Sequence, residues 1–276
     1  NILTIILLLS VAVNSANHYV STSISGLNNG TSWENAWQDF GSINWNIVQP
    51  GDTVFISGGT DTAFYDDTLN IQKSGTYEMP IVYTVGREAG HNGIAYLNRT
   101  INAAYSRNHW VLDGSNGNPQ NRNLIVSDTT GAENVSIYLS NSIKIRKIDV
   151  RNGKNHGIRI NYKSYHIEID SCYIRNQVWD GINITVADTL DNLTNPYEVY
   201  KIKNCVISNI GDDLIQLGTS GVTIEKCALI HGGKETPEGA HPDGVQINPG
   251  QRYVNVNGCT IVNCPQGVFI ERTSGF

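Results

Sequence analysis

From about residue 143 the chain repeats itself, and that repetition limits its fold more than any other feature. Five segments align: "SIKIRKIDVRNGKNHGIRI", "SYHIEIDSCYIRNQVWDGINI", "EVYKIKNCVISNIGDDLIQL", "GVTIEKCALIHGG…HPDGVQI" and "YVNVNGCTIVNCPQGVFI". Each reads as two short strands of alternating apolar and polar residues joined by a turn rich in Asn, Gly or Asp. No amphipathic helix interrupts them. Aligning the final strands puts His156, Asp180, Asp213, Asp243 and Gln266 in one column, at separations of 24, 33, 30 and 23 residues.

The basic unit is therefore near 23 residues, with two units enlarged. Ile148 to His156, Cys172 to Asp180 and Cys205 to Asp213 are each 8 residues apart, whereas Cys227 to Asp243 spans 16, so "GGKETPEGA" is an insertion. A second insertion, "VADTLDNLTNPYE", follows the strand after Asp180. Strand repeats of this length predict a β-solenoid, whose stacked coils bury one continuous core and whose loops gather where the coils turn.

The full sequence has 276 residues and a net charge of −6, with no basic run, which argues against a nucleic-acid partner. Its first stretch, "NILTIILLLSVAVNSA", has the apolar run and small-residue end of a secretory signal and is too short to span a membrane. The expected organisation is a signal peptide over 1–16, clipped at its start, and a single solenoid domain over 17–276. The mature protein is expected to be exported, free of the membrane and monomeric. The chain stops just after the strand in "QGVFIERTSGF", so further coils are expected beyond it. Of five cysteines, Cys172, Cys205, Cys227 and Cys259 recur at one place in successive repeats. That suits a buried column of reduced thiols, since no CxxC or Cys/His ligand spacing is present. Cys264 stands apart.

The N-terminal third carries a different signature. "HYVSTSISGLNNGTSWENAW", "INWNIVQPGDTVFISGG" and "LNIQKSGTYEMPIVYTVG" resemble the opening of secreted pectate-lyase-like right-handed parallel β-helix proteins, and "PGDTVFISGG" is a fairly specific marker of that superfamily. The resemblance, with the repeats, covers nearly the whole mature chain. It implies an all-β right-handed parallel β-helix, a short capping helix around Trp33 to Val48, an exported location and a carbohydrate substrate. It does not identify the reaction.

Stacked coils lie about 4.8 Å apart, so Asp180, Asp213 and Asp243 would form an acidic ladder with Asp212 beside it. Like charges at that spacing need a raised pKa, a bound cation or water. A cation bound there would be calcium, which takes carboxylate oxygens, and Asp180, Asp212, Asp213 and Asp243 are the expected ligands. The resemblance implies how such an ion acts: it bridges protein carboxylates to a substrate uronate, a basic side chain removes the C5 proton, and the C4 oxygen leaves by β-elimination. The base is usually Lys or Arg. Here the strand position after the acid holds Arg159, Asn183, Gln216, Gln246 and Phe269. In one calcium-dependent lyase family of similar layout a Lys stands where Gln246 stands here. Lys234, His241 and Arg272 are the substitute cations, and Gln216, Gln246 and Arg272 are expected to contact substrate.

A second resemblance points to hydrolysis. Asp180 in "WDGINI", Asp212 and Asp213 in "GDDLIQL" and His231 in "IHGG" follow the order of motifs in polygalacturonase-like glycosidases, implying proton transfer by the same acids. The match is partial: Val178-Trp179 replaces that family's Asn-Thr, and its later Arg-x-Lys is absent. Inverting hydrolysis needs carboxyl groups about 6.5–9.5 Å apart. A third reading is a non-catalytic surface or adhesion solenoid whose acids and His231 are turn residues. His156, Tyr162 and Tyr165 are expected to line a face. Five sequons, at Asn29, Asn98, Asn134, Asn183 and Asn192, complete the inventory, and a glycan on Asn183 would argue against a cleft at Asp180. Taken together, the acidic column and the first resemblance imply, as the leading expectation, calcium-assisted cleavage of a uronate polysaccharide.

Overall fold

The computed structural model describes residues 15–23, 25–186, 199–233, 240 and 242–272. Its strands form three parallel sheets of nine, eight and eight strands, each coil contributing one strand to every sheet in turn. The protein is a parallel β-helix. One coil shows the plan: Ile143–Arg146 enters the first sheet, Ile148–Arg151 the second and Ile158–Asn161 the third, after which Ile167–Asp170 returns to the first.

The repeats thus hold three strands per coil rather than the two read from alternation. A single residue makes the difference. Lys147, Ser171, Asn204 and Lys226 have φ between 52° and 56°, and each turns the chain from the first sheet to the second without a loop. The turn is visible as a slip in the apolar pattern: Ile143 and Ile145 point inward, then Ile148 and Val150 do, so the alternation gains one residue at Lys147. Two further corners per coil use the same left-handed backbone. His109, Ser142 and His166 precede strands of the first sheet, and Asn152, Asn176, Asn209 and His231 end strands of the second. Asn tolerates this conformation well, which accounts for its abundance at corners.

Inward side chains stack coil on coil. Ile158, Ile182, Ile215 and Val245 share one register and are fully buried. In the first sheet Trp110, Ile143, Ile167 and Tyr200 are in register, and the two aromatic polar atoms are satisfied inside the protein: Trp110 Nε1 donates to Arg107 O at 3.0 Å and Tyr200 OH to Ser164 O at 2.6 Å. Cys172, Cys205 and Cys227 are buried free thiols that cap the stack, each donating weakly to the carbonyl two residues earlier. Burial holds the Cys205 thiol well above its ordinary range, which suits an inert core residue.

The expected capping helix does not form. Residues 33–48 are turns, tied by i→i+3 bonds such as Ala36 N to Trp33 O and Ile43 N to Phe40 O. Asp39 and Asn44 explain this: their side chains accept the amides of Ser42 and Asn46, a local alternative to helical bonding. The segment still covers the open end of the core. Trp37, Phe40, Ile43 and Val48 are buried, and Phe40 stacks on Tyr65 with ring centres 4.9 Å apart.

Candidate functional site

The acidic column lies at the corner between the second and third sheets. Asp180 and Asp213 each precede a strand of the third sheet by two residues, Ile182–Thr185 and Ile215–Leu217, while Asp243 opens the next one, Asp243–Ile247. The registry places His156, Asp180, Asp213, Asp243 and Gln266 on successive coils, in the order expected. All three aspartates are buried, with exposures of 1% or less, and Asp212 is half-buried beside them.

Each acid holds the next. Asp180 Oδ1 accepts the Asp213 N–H at 3.2 Å, and Asp213 Oδ1 accepts the Asp243 N–H at 2.8 Å. Asp180 Oδ2 accepts from Asn183 Nδ2 at 2.7 Å and lies 3.1 Å from His156 Nδ1. Asn183 Nδ2 also meets Gln216 Oε1, so Asp180, Asn183 and Gln216 are tied into one polar group. Asp213 Oδ2, in contrast, is buried with no hydrogen-bond partner among the described residues. Burial first, then the charge of Asp180 and more weakly those of Asp212 and Asp243, push the Asp213 carboxyl up to about 8.

Outside this corner runs a shallow groove of about 390 Å³, whose lining includes His156, Arg159, Trp179, Asp180, Asp212 and Gln216. One oxygen each from Asp180, Asp212 and Asp213 lies within 4.8 Å of the other two. Three carboxylates offering hard oxygens this close together are the donor type that calcium takes, and one of them, Asp213, has a buried oxygen without a hydrogen-bond partner among the described residues. Asp243 takes the following rung of the ladder and is not part of the convergent trio.

The other expected residues are distributed as follows. Gln216 lines the groove, and Gln246 is its neighbour one coil on, 3% exposed. His231 ends the strand Ala228–Gly232 with φ 58°, and its Nε2 contacts Asn263 Nδ2 at 2.8 Å. It therefore belongs to the row of corner residues and is absent from the groove lining. Arg272 is exposed just after Gln266–Ile270, two coils beyond Gln216. Lys234 and His241 lie outside the described residues. The groove residues without an assigned role in the sequence include His156, Trp179 and Arg159, the last bound to Glu133 at 2.8 Å. His156 could have been singled out, because it stands in the acidic column itself.

No protein-family model matches the chain, and no curated protein sequence is detectably similar to it. Solved structures share its fold. A pectate lyase, Pel9A, superposes with a TM-score of 0.62 at 15% identity, covering 89% of this chain and 62% of that one. An alginate lyase from Paenibacillus sp. str. FPU-7 gives 0.53 at 13% identity, covering 87% and 75%, and a rhamnogalacturonan lyase gives 0.51 at 15%, covering 88% and 62%. The chain thus spans a little under two thirds of the length of the first and third. At these identities the likeness is one of fold, the parallel β-helix.

Proposed function

We propose that this is an exported protein that cleaves a uronate-containing polysaccharide by calcium-assisted β-elimination. The observation that carries the reading is the approach of Asp180, Asp212 and Asp213 oxygens within 4.8 Å of one another, with Asp180 and Asp212 lining an open groove and Asp213 buried beside them. Calcium bound there would neutralise the trio and a substrate carboxylate together, making the proton beside that carboxylate more acidic. Asp180 is held for this task by Asn183 and His156, and Asp213, whose Oδ2 has no hydrogen-bond partner among the described residues, would have an oxygen to offer the ion. Arg159 and Trp179 flank the acids and would orient the sugar, Arg159 through its charge and Trp179, 38% exposed, through its ring.

The base is the missing part. Gln246 is an amide and takes no proton, and Gln216 is likewise neutral. The insertion after His231 carries Lys234, and His241 follows it, two residues before Asp243 opens a strand of the groove-bearing sheet. We assign proton removal to that segment.

The hydrolytic reading fits less well. Oxygens within 4.8 Å are closer than the ~6.5–9.5 Å that leaves room for an attacking water between inverting carboxyls. Its one favourable observation is a carboxyl that stays protonated near neutrality, Asp213, and that group is fully buried.

The deciding experiment incubates the secreted protein with uronate and neutral polysaccharides, with calcium or with chelator, following ultraviolet absorbance from new double bonds and, separately, reducing ends. Absorbance that chelation abolishes supports the proposal. Reducing ends without absorbance would replace it with hydrolysis, and neither signal would leave a binding or structural solenoid.

A further inference from the structure

The second sheet presents an outer surface quite unlike the groove. Three successive coils each place one arginine there: Arg122 just before Leu124–Val126, Arg151 at the end of Ile148–Arg151, and Arg175 at the end of Tyr173–Arg175. The carboxylate bonded among them is Asp149. Arg175 grips it with two bonds, Nε to Oδ1 at 3.2 Å and Nη2 to Oδ2 at 2.7 Å, and Arg151 Nε is 3.8 Å from Oδ2. Arg122 is held differently. Its Nε donates to Ser171 O at 2.7 Å, and its guanidinium carbon lies 3.9 Å from the centre of the Tyr173 ring.

Three guanidinium groups against one carboxylate leave this face positive on a chain whose net charge is −6. Ring surface is interleaved with the charge. Arg151 stands over Tyr96 at 5.4 Å, Tyr96 packs on the exposed Phe64, and Tyr173 is 39% exposed. A depression of about 500 Å³ joins Arg122, Asp149, Tyr173 and Arg175 to Val206 and Ser208 on the next coil. Arg175 is accounted for by Asp149, but Arg122 is not: stacking and the Ser171 bond fix its plane while its Nη groups bond no described residue. A guanidinium ordered in advance loses little freedom on binding and offers a fork suited to a carboxylate.

We propose that this face is a second polysaccharide-binding surface, separate from the groove, which takes a uronate carboxylate on Arg122 and a sugar ring against Tyr173. The proposal rests on the reading that the protein acts on an acidic polysaccharide. A polymer laid along the solenoid axis would cross the three arginine-bearing coils, each about 4.8 Å from the next, and remain attached while another part of it lies in the groove.

Affinity electrophoresis tests this in gels containing sodium polygalacturonate or neutral galactan, with chelator present. The proteins are the wild type, Asp212→Asn to weaken the groove, Arg122→Ala combined with Tyr173→Ala, and Arg122→Lys. The wild type and Asp212→Asn should be retarded by polygalacturonate alone, less so as salt rises. The double variant should lose at least tenfold in apparent affinity, and Arg122→Lys should fall between, keeping the charge but not the fork. Matching melting temperatures confirm that the variants are folded. Retardation of the double variant equal to wild type, or no retardation of wild type by polygalacturonate, overturns the surface. Cleavage of uronate polymer by a protein whose double variant still binds would sink this inference and leave the proposed function standing. Lost retardation without cleavage under any cation condition would do the reverse.

Discussion

Asp180 accepts the backbone N–H of Asp213, one coil further on, through Oδ1 at 3.2 Å, while its Oδ2 faces the groove-lining His156. One carboxylate thus has two duties. It closes a corner of the solenoid, as an Asp at a turn does, and it contributes an oxygen to a convergent acidic trio. The structural and the chemical readings of the repeated acid are therefore compatible, and substitutions can separate them.

Asp180→Asn keeps an oxygen for the Asp213 N–H and removes a charge. It also turns an NH2 toward the Asn183 amide and loses that one bond, so it should cost less cation-free stability than Asp180→Ala, which strands both the Asp213 N–H and the Asn183 amide and should cost about 1–3 kcal/mol. Both should lose the stabilisation by calcium expected of the wild type, about 2.7 kcal/mol at a hundredfold excess over Kd. Thermal melts with and without calcium provide the check. An Asp180→Asn protein that calcium stabilises as fully as wild type would remove Asp180 from the ligand set.

Asp213 predicts a pH dependence. Its folded carboxyl titrates at about 8, against an ordinary carboxylate value of about 3.9 in the unfolded chain. Between those limits the folded state holds a proton that the unfolded state has released, so cation-free stability falls as pH rises from about 4 to about 8. Calcium competes with that proton, and its stabilising effect should grow over the same window. Melting temperatures followed across that range in chelator should decline for wild type and be flatter for Asp213→Asn. A flat wild-type profile would contradict the assignment.

Two of the five sequons cannot carry glycan on the folded protein. Asn134 is fully buried and donates to Val126 O and Arg151 O, and Asn183 is 4% exposed and bonded to Asp180. Expression in a glycosylating host followed by peptide mass mapping should find both unmodified, while Asn29, which is exposed, remains open to modification. The glycan that would have argued against a cleft at Asp180 is thereby excluded in the folded state.

His231 separates the two cleavage chemistries. It occupies the same left-handed corner as Asn152, Asn176 and Asn209, and bonds its neighbour Asn263 much as Asn176 bonds Asn152. His231→Asn should therefore fold normally and retain turnover. Loss of turnover at unchanged melting temperature would bring the polygalacturonase-like reading back.

What could be read from the chain follows from how each feature is encoded. The coil, the acidic column and the thiol stack depend on intervals between like residues, and these are preserved in the register of Asp180, Asp213 and Asp243. The third strand of each coil was hidden because one left-handed residue, such as Lys147, turns the chain with no loop to announce it. A capping helix over Trp33 to Val48 is implied by the resemblance alone, and here Asp39 and Asn44 divert the amides it would need. In the site, the interval between acids was legible. The partners of Asp180 were not, because His156 and Asn183 reach it through side-chain directions that spacing does not specify.

The catalytic base is the most consequential open assignment. The ladder position that could hold a cation-bearing side chain holds Gln246, so under the proposed β-elimination the proton would go to a residue from elsewhere in the chain. Lys234, in the insertion, and His241, just after it, differ in what they predict. A lysine base must be neutral to act, so activity should climb into the alkaline range, while a histidine base should reach its plateau nearer neutrality. We expect Lys234→Ala to abolish double-bond formation at unchanged calcium-induced stabilisation, and His241→Ala to reduce it less. The pH profile of kcat/KM for each variant distinguishes them. If both variants turn over uronate polymer at the wild-type rate, that segment does not supply the base, and Arg159 or His156 in the groove becomes the next residue to substitute.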